Sequence, residues 1–164
     1  MAAFWYCTPE WLEESARAYR SDPSFEQTLK NLSLKVCFRV EAEPSWGIDR
    51  DILFCCFLEA GKLIKLGFFS EDDARRQADY ILSAATEQWK SILRKESGFT
   101  RAFMAGRIKL EMGSRLGVLK LAPYAGAVVD ALTRVDIQFP DEMSDEELPE
   151  YKSYMREFRV KLGV

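Results

Sequence analysis

The chain has 164 residues, of which 23 are Lys or Arg, 26 are Asp or Glu and none is His, for a net charge of −3. The acidic balance argues against sequence-independent nucleic-acid binding, which needs a basic surplus to displace counterions. The lack of histidine excludes Ser-His-Asp and Cys-His nucleophiles and the common His-ligated zinc sites.

Other classes close for related reasons. No GxSxG, P-loop or GxGxxG motif is present. No apolar run approaches the ~20 residues of a membrane span, so stable membrane insertion is not expected. Residues 1–7 lack a positive region and a long apolar stretch, so no signal peptide is expected and the cytoplasm is the expected location. Cys7, Cys37, Cys55 and Cys56 form no CxxC pair, and neighbouring strand residues such as Cys55 and Cys56 point to opposite faces. Reduced cysteines packed as small hydrophobes are expected, rather than a disulfide framework or a zinc site.

In chain order, Thr8 caps a first helix that has Pro9 in its opening turn and Trp11, Leu12, Ala16 and Tyr19 at helical spacing. The Ser-Asp-Pro run at 21–23 stops it and restarts a second helix on Phe25, Leu29 and Leu32. Residues 35–40 alternate, with Val36, Phe38 and Val40 on one face and Arg39 on the other. Residues 51–59 are apolar on both faces, as in a central strand covered on two sides or one with one face packed and the other lining a cavity, and Ala60 and Gly61 turn the chain into a partner strand at 62–69. Residues 71–77 read as a charged connection and 78–85 as a fourth strand.

Thr86 is the expected cap of a helix bearing Trp89, Ile92 and Leu93. A short helix with Phe99, Ala102 and Phe103 stops at Gly106, and residues 107–112 form a fifth strand with Ile108, Leu110 and Met112 inward. Leu116, Leu119 and Leu121 follow on a core helix that Pro123 breaks, and residues 125–135 continue helically. Residues 141–150 hold six carboxylates and no basic residue, then Tyr151, Tyr154, Met155, Phe158 and Leu162 recur as an amphipathic stripe. That stripe docks on its own domain, on a second copy to make a homodimer, or at the mouth of a cavity.

Ala78 and Asp79 before the fourth strand, Thr86 with Trp89 after it, the run AFMAGRIKLEM at 102–112 and the TPEW opening at 8–11 share one pattern. In these residues and in element order the chain resembles the sterol carrier protein type-2 family over about residues 8–135. It departs from some relatives in ending Leu162, Gly163, Val164, without the peroxisomal targeting tripeptide. The resemblance implies an α+β fold, a five-stranded mixed or antiparallel sheet with helices packed on one face. A hydrophobic tunnel between the two layers would accept sterols, fatty acids or acyl chains without metal or cofactor. Residues 1–137 would form that domain, and 138–164 an acidic linker with an extra C-terminal amphipathic helix.

On this reading Phe54, Phe99, Phe103, Met104, Met112, Leu116 and Leu119 line a pocket of several hundred Å³, the flexible methionines letting the wall repack around different guests. The alternative for each is plain core packing. The expected function is non-catalytic binding and transfer of a lipid or other apolar molecule. Two other functions compete with it. One is a dimerisation module that uses the C-terminal stripe. The other is an enzyme on a greasy substrate with Asp79 or Glu111 as acid–base groups, although turn and surface roles suit those two carboxylates better.

Overall fold

The computed structural model describes residues 3–164. Its centre is a five-stranded sheet in the order β4-β3-β2-β5-β6. The strands are β2 (Leu34–Val40), β3 (Ile52–Glu59), β4 (Lys62–Phe69), β5 (Tyr80–Ala84) and β6 (Lys109–Met112). β2 and β5 run parallel and the other pairs antiparallel, so the sheet is mixed. β3 is buried at seven of its eight positions because both faces are covered.

The main helical layer lies on one face. It comprises α1 (Pro9–Ser21), α2 (Pro23–Thr28), α4 (Thr86–Leu93), α5 (Phe99–Met104), α6 (Arg115–Leu121) and α7 (Ala125–Leu132). Local chemistry sets their ends. The Thr8 hydroxyl accepts from the Trp11 amide, and the Asp22 carboxylate accepts from the Ser24 amide to start α2. Gly106 follows α5 at a φ of 79°, which an L side chain adopts only with strain. Thr86 does not cap α4: Ala85 holds the cap position, and the Thr86 hydroxyl instead donates to the Tyr6 hydroxyl at 3.2 Å.

The charged run at 71–77 folds as a helix, α3 (Glu71–Gln77), rather than a plain connection. Ser70 accepts from the Asp73 amide, three acids fill the first turn and two arginines the last, so cap and dipole act together. α3 covers the second face of the sheet, where Ala74 and Ala78 pack with Leu53, Cys55, Phe57 and Ile81.

Two cysteines on that second face overturn the expectation of reduced thiols. The antiparallel register sets Cys37 directly opposite Cys55, and the two form a disulfide. Cys7 and Cys56 are free and buried. Spacing along the chain is blind to such cross-strand pairing, which depends on hairpin register.

The C-terminal helix α8 (Glu147–Leu162) docks on its own chain. Tyr151, Met155 and Phe158 are buried in the main core, and the Tyr151 hydroxyl donates to the Tyr6 carbonyl at 2.6 Å. Arg159 donates to the carbonyls of Arg50 and Asp51. Leu162, assigned to the stripe, is instead 51% exposed in the last turn. A parallel pair of two-residue strands, β1 (Phe4–Trp5) and β7 (Ile137–Gln138), closes the chain ends over α8. Among the described residues no helix is long and apolar enough to cross a membrane.

Candidate functional site

Strand register builds one wall of a cavity. Phe68, Phe54, Phe38, Leu82 and Leu110 are successive partners across β4, β3, β2, β5 and β6, a single transverse row on the helical face, of which Phe54, Phe38 and Leu82 line the cavity. Phe38 and Phe54 have ring centroids 5.1 Å apart. Parallel pairing of β5 with β2 is what brings Leu82 beside Phe38.

The opposite wall is helical. Trp89, Ile92 and Leu93 come from α4, Phe99 from α5, Val118 and Leu121 from α6, and Val128, Val129 and Leu132 from α7. Between the walls lies a cavity of about 90 Å³. None of its lining side chains is charged. The buried polar atoms of the wall find partners inside the protein: the Trp89 indole donates to the Arg39 carbonyl at 3.0 Å, and Tyr6 takes the Thr86 hydroxyl. The interior therefore offers a guest almost purely apolar surface.

Burial varies along both walls. On the sheet Val36, Phe54 and Leu82 are buried and Phe38 and Tyr80 partly so; in the α6–α7 roof Val118 and Leu132 are buried, and Leu121, Tyr124, Ala125, Val128 and Val129 partly so. The Trp11 indole donates to the Leu132 carbonyl at 3.0 Å, and Lys95 pairs with Asp130 at 2.8 Å, pinning the far end of α7. Elements with little buried apolar contact open at low cost.

Of the seven expected lining residues, Phe54 and Phe99 face this cavity and five lie elsewhere. Phe103 is buried beside it, stacked on Phe99 at 6.0 Å with the Arg115 guanidinium 4.8 Å from its ring. Met104 is 57% exposed, one residue beyond the inward stripe of Phe99, Ala102 and Phe103 on a helix of six residues. Leu116 is 65% exposed and Leu119 half-buried, because α6 turns Val118 and Leu121 inward instead. Met112 sits on the other face of the sheet. A bulge makes Ile81 its partner while Leu82 pairs with Leu110, so one extra residue in β6 flips everything after it.

The carboxylates weighed for catalysis stand away from the cavity. Glu111 binds Arg39 at 2.7 Å on the second face of the sheet, and Asp79 is exposed. Arg39 also reaches Glu71 at 2.7 Å and Asp51 at 3.6 Å, tying α3 and β6 to the sheet. Burial works to raise the Glu71 pKa, but the bond from Arg39 and its charge, with Arg75 beside it, hold the carboxyl below its ordinary value. Among the described residues no cluster of His, Cys, Asp or Glu could hold a metal ion.

The lining missed from sequence was partly signalled there. The alternation of Val36, Phe38 and Val40 and the stripe of Trp89, Ile92 and Leu93 mark inward faces. Which of those faces meets empty space depends on how closely the helical layer approaches.

The chain is similar to several solved structures. A Thermus thermophilus protein described as possibly sterol carrier protein superposes with a TM-score of 0.66 at 19% identity, over 80% of this chain and 90% of that one. A sterol carrier protein 2 crystal structure gives 0.63 at 20% identity, over 78% and 97%. Sterol carrier protein 2 from Yarrowia lipolytica, in its apo form, gives 0.54 at 14% identity, over 76% and 88%. No family model and no curated protein sequence matches the chain. The mixed five-stranded sheet, the helical layer on it and these superpositions together give the chain the sterol carrier protein 2 fold.

Proposed function

We propose that this protein binds and carries a lipid or other apolar molecule between sheet and helices, without catalysing its conversion. The observation that carries this reading is the cavity itself, a void walled by uncharged side chains inside a fold shared with sterol carrier protein 2. Residues 1–137 form the carrier unit, and residues 138–164 brace it through Tyr151, Met155 and Phe158.

The volume says how binding proceeds. A dry engineered cavity of about 150 Å³ holds benzene, and the 90 Å³ here is smaller, well below the several hundred Å³ expected from sequence. An acyl chain therefore enters by displacing the partly buried α6–α7 roof. Burying the chain gains about 0.8 kcal/mol per methylene, against association costs of about 4–15 kcal/mol. The balance gives reversible binding with weak discrimination by length.

Native mass spectrometry of freshly purified protein, with titration of the fluorescent probe N-phenyl-1-naphthylamine, tests this. A co-purified lipid mass, or saturable probe binding that lipids displace, is the expected result. A protein that carries no lipid and leaves apolar probes unbound at high concentration is not a carrier.

A further inference from the structure

A second, smaller void of about 20 Å³ lies between α1, the β3–β4 hairpin and α7. Its walls are apolar: Leu29, Leu58, Leu63 and Leu66 contribute, with the Cys56 thiol. Ser15 faces into it. Ser15 is 1% exposed, and its hydroxyl is the one buried side-chain polar atom among the described residues with no hydrogen-bond partner. Buried hydroxyls are normally satisfied, so an orphan of this kind calls for an explanation.

The alternative partner within the fold is the Trp11 carbonyl, one turn earlier on α1 and reached by rotation of the Ser15 side chain. Tyr19, the other hydroxyl in this wall, donates to the Gly61 carbonyl. A single water fits the volume, but a buried water requires two to four polar partners, and this apolar lining presents Ser15 as its one uncommitted hydroxyl. The two voids are neighbours: Val128 and Leu132 of α7 line both. Leu132 therefore borders the large cavity and the Ser15 void alike.

We infer that the two voids form one ligand channel, and that Ser15 at its closed end receives the polar end of an uncharged lipid bearing a terminal hydroxyl or carbonyl. Such a ligand enters polar end first, its hydrocarbon filling the larger void under the roof. A carboxylate does not reach the same place, because no lining residue of either void is cationic and a buried ion without a partner is strongly disfavoured. Fatty acids therefore bind tail first, with the carboxylate at the roof and no contact to Ser15. This inference rests on the carrier reading and adds ligand class and orientation to it.

The test compares 1-dodecanol with dodecanoate at pH 8 in the full chain, each displacing N-phenyl-1-naphthylamine from wild type and from Ser15→Ala. Loss of one neutral hydrogen bond weakens 1-dodecanol about three- to tenfold, with dodecanoate unchanged. The melting temperature of Ser15→Ala stays level or rises, since the variant removes a hydroxyl that has no partner. Equal affinities in both proteins, as a Ser15 bound only to a lone water would give, overturn the inference. So does an equal loss for both ligands, or a drop in melting temperature showing that Ser15 has a partner within the fold. Wild type that binds neither probe nor ligand overturns the carrier reading as well, and that result is visible before any variant is made.

Discussion

Ala125 stands in the first turn of α7 with part of its surface on the 90 Å³ cavity, so Ala125→Leu places three further carbons in empty space. Residual cavity volume costs about 24 cal/mol per Å³, so the void destabilises the empty protein by about 2 kcal/mol. Three buried carbons at about 0.8 kcal/mol each recover a similar amount, and leucine is nearly as good a helix former as alanine. For a chain of this length 1 kcal/mol moves the midpoint by about 2–4 °C, so the variant melts roughly 4–8 °C higher. It also binds N-phenyl-1-naphthylamine at least tenfold more weakly, because the filler occupies the guest's volume. Differential scanning calorimetry and a fluorescence titration read the two effects, which run in opposite directions. An already filled interior gives the reverse: overpacking costs about 1–3 kcal/mol, the midpoint falls, and probe affinity does not change. That result would refute the void and the function drawn from it.

Arg39→Met removes the guanidinium that joins Glu71, Glu111 and Asp51 from a side chain 11% exposed. The stranded carboxylates are partly exposed and rehydrate, so urea unfolding registers a loss of about 1–2 kcal/mol rather than the 3–5 of a fully buried pair. Glu71 has a depressed folded pKa, so its contribution is present above its ordinary value of 4.5 and is lost as pH falls through the lower folded value. Stability of the wild type thus declines below about pH 4.5, and the variant's acid limb is shallower; parallel limbs would show that Arg39 does not set the Glu71 pKa. For the cysteines, denatured unreduced protein exposes two thiols per chain to Ellman's reagent, and reduced protein four. Burial pushes Cys7 and Cys56 up to about 12, so the folded protein reacts slowly. A count of four before reduction would exclude the Cys37–Cys55 bond.

Local rules made most elements legible. The caps of α1 and α2, the alternation of β2, the two-sided apolar run of β3 and the turn at Ala60 and Gly61 depend on neighbours within a few residues. α3 was missed because a charged run carries no apolar stripe, although Ser70 and the order of its charges held the signal. Phe54 and Phe99 were readable as inward-facing. Met112 was not, because one bulged residue in β6 reverses the alternation and leaves no distinctive trace in the sequence. Met104, Leu116 and Leu119 misled for a different reason: on helices of six or seven residues an inward stripe holds only two or three positions, and a shift of one changes the face.

Sequence alone determined the absence of histidine chemistry, the succession of helices and strands apart from α3, β1 and β7, and the apolar faces of β2 and β3, since composition and period are properties of the chain. Tertiary structure decided that Cys37 meets Cys55, that α8 spends its aromatic stripe on its own core, and that Ser15 is left without a partner. It also decided where the interior stays open. Register and the distance between layers arise from contacts between segments far apart in the chain, and a void is the one feature that no residue encodes by itself.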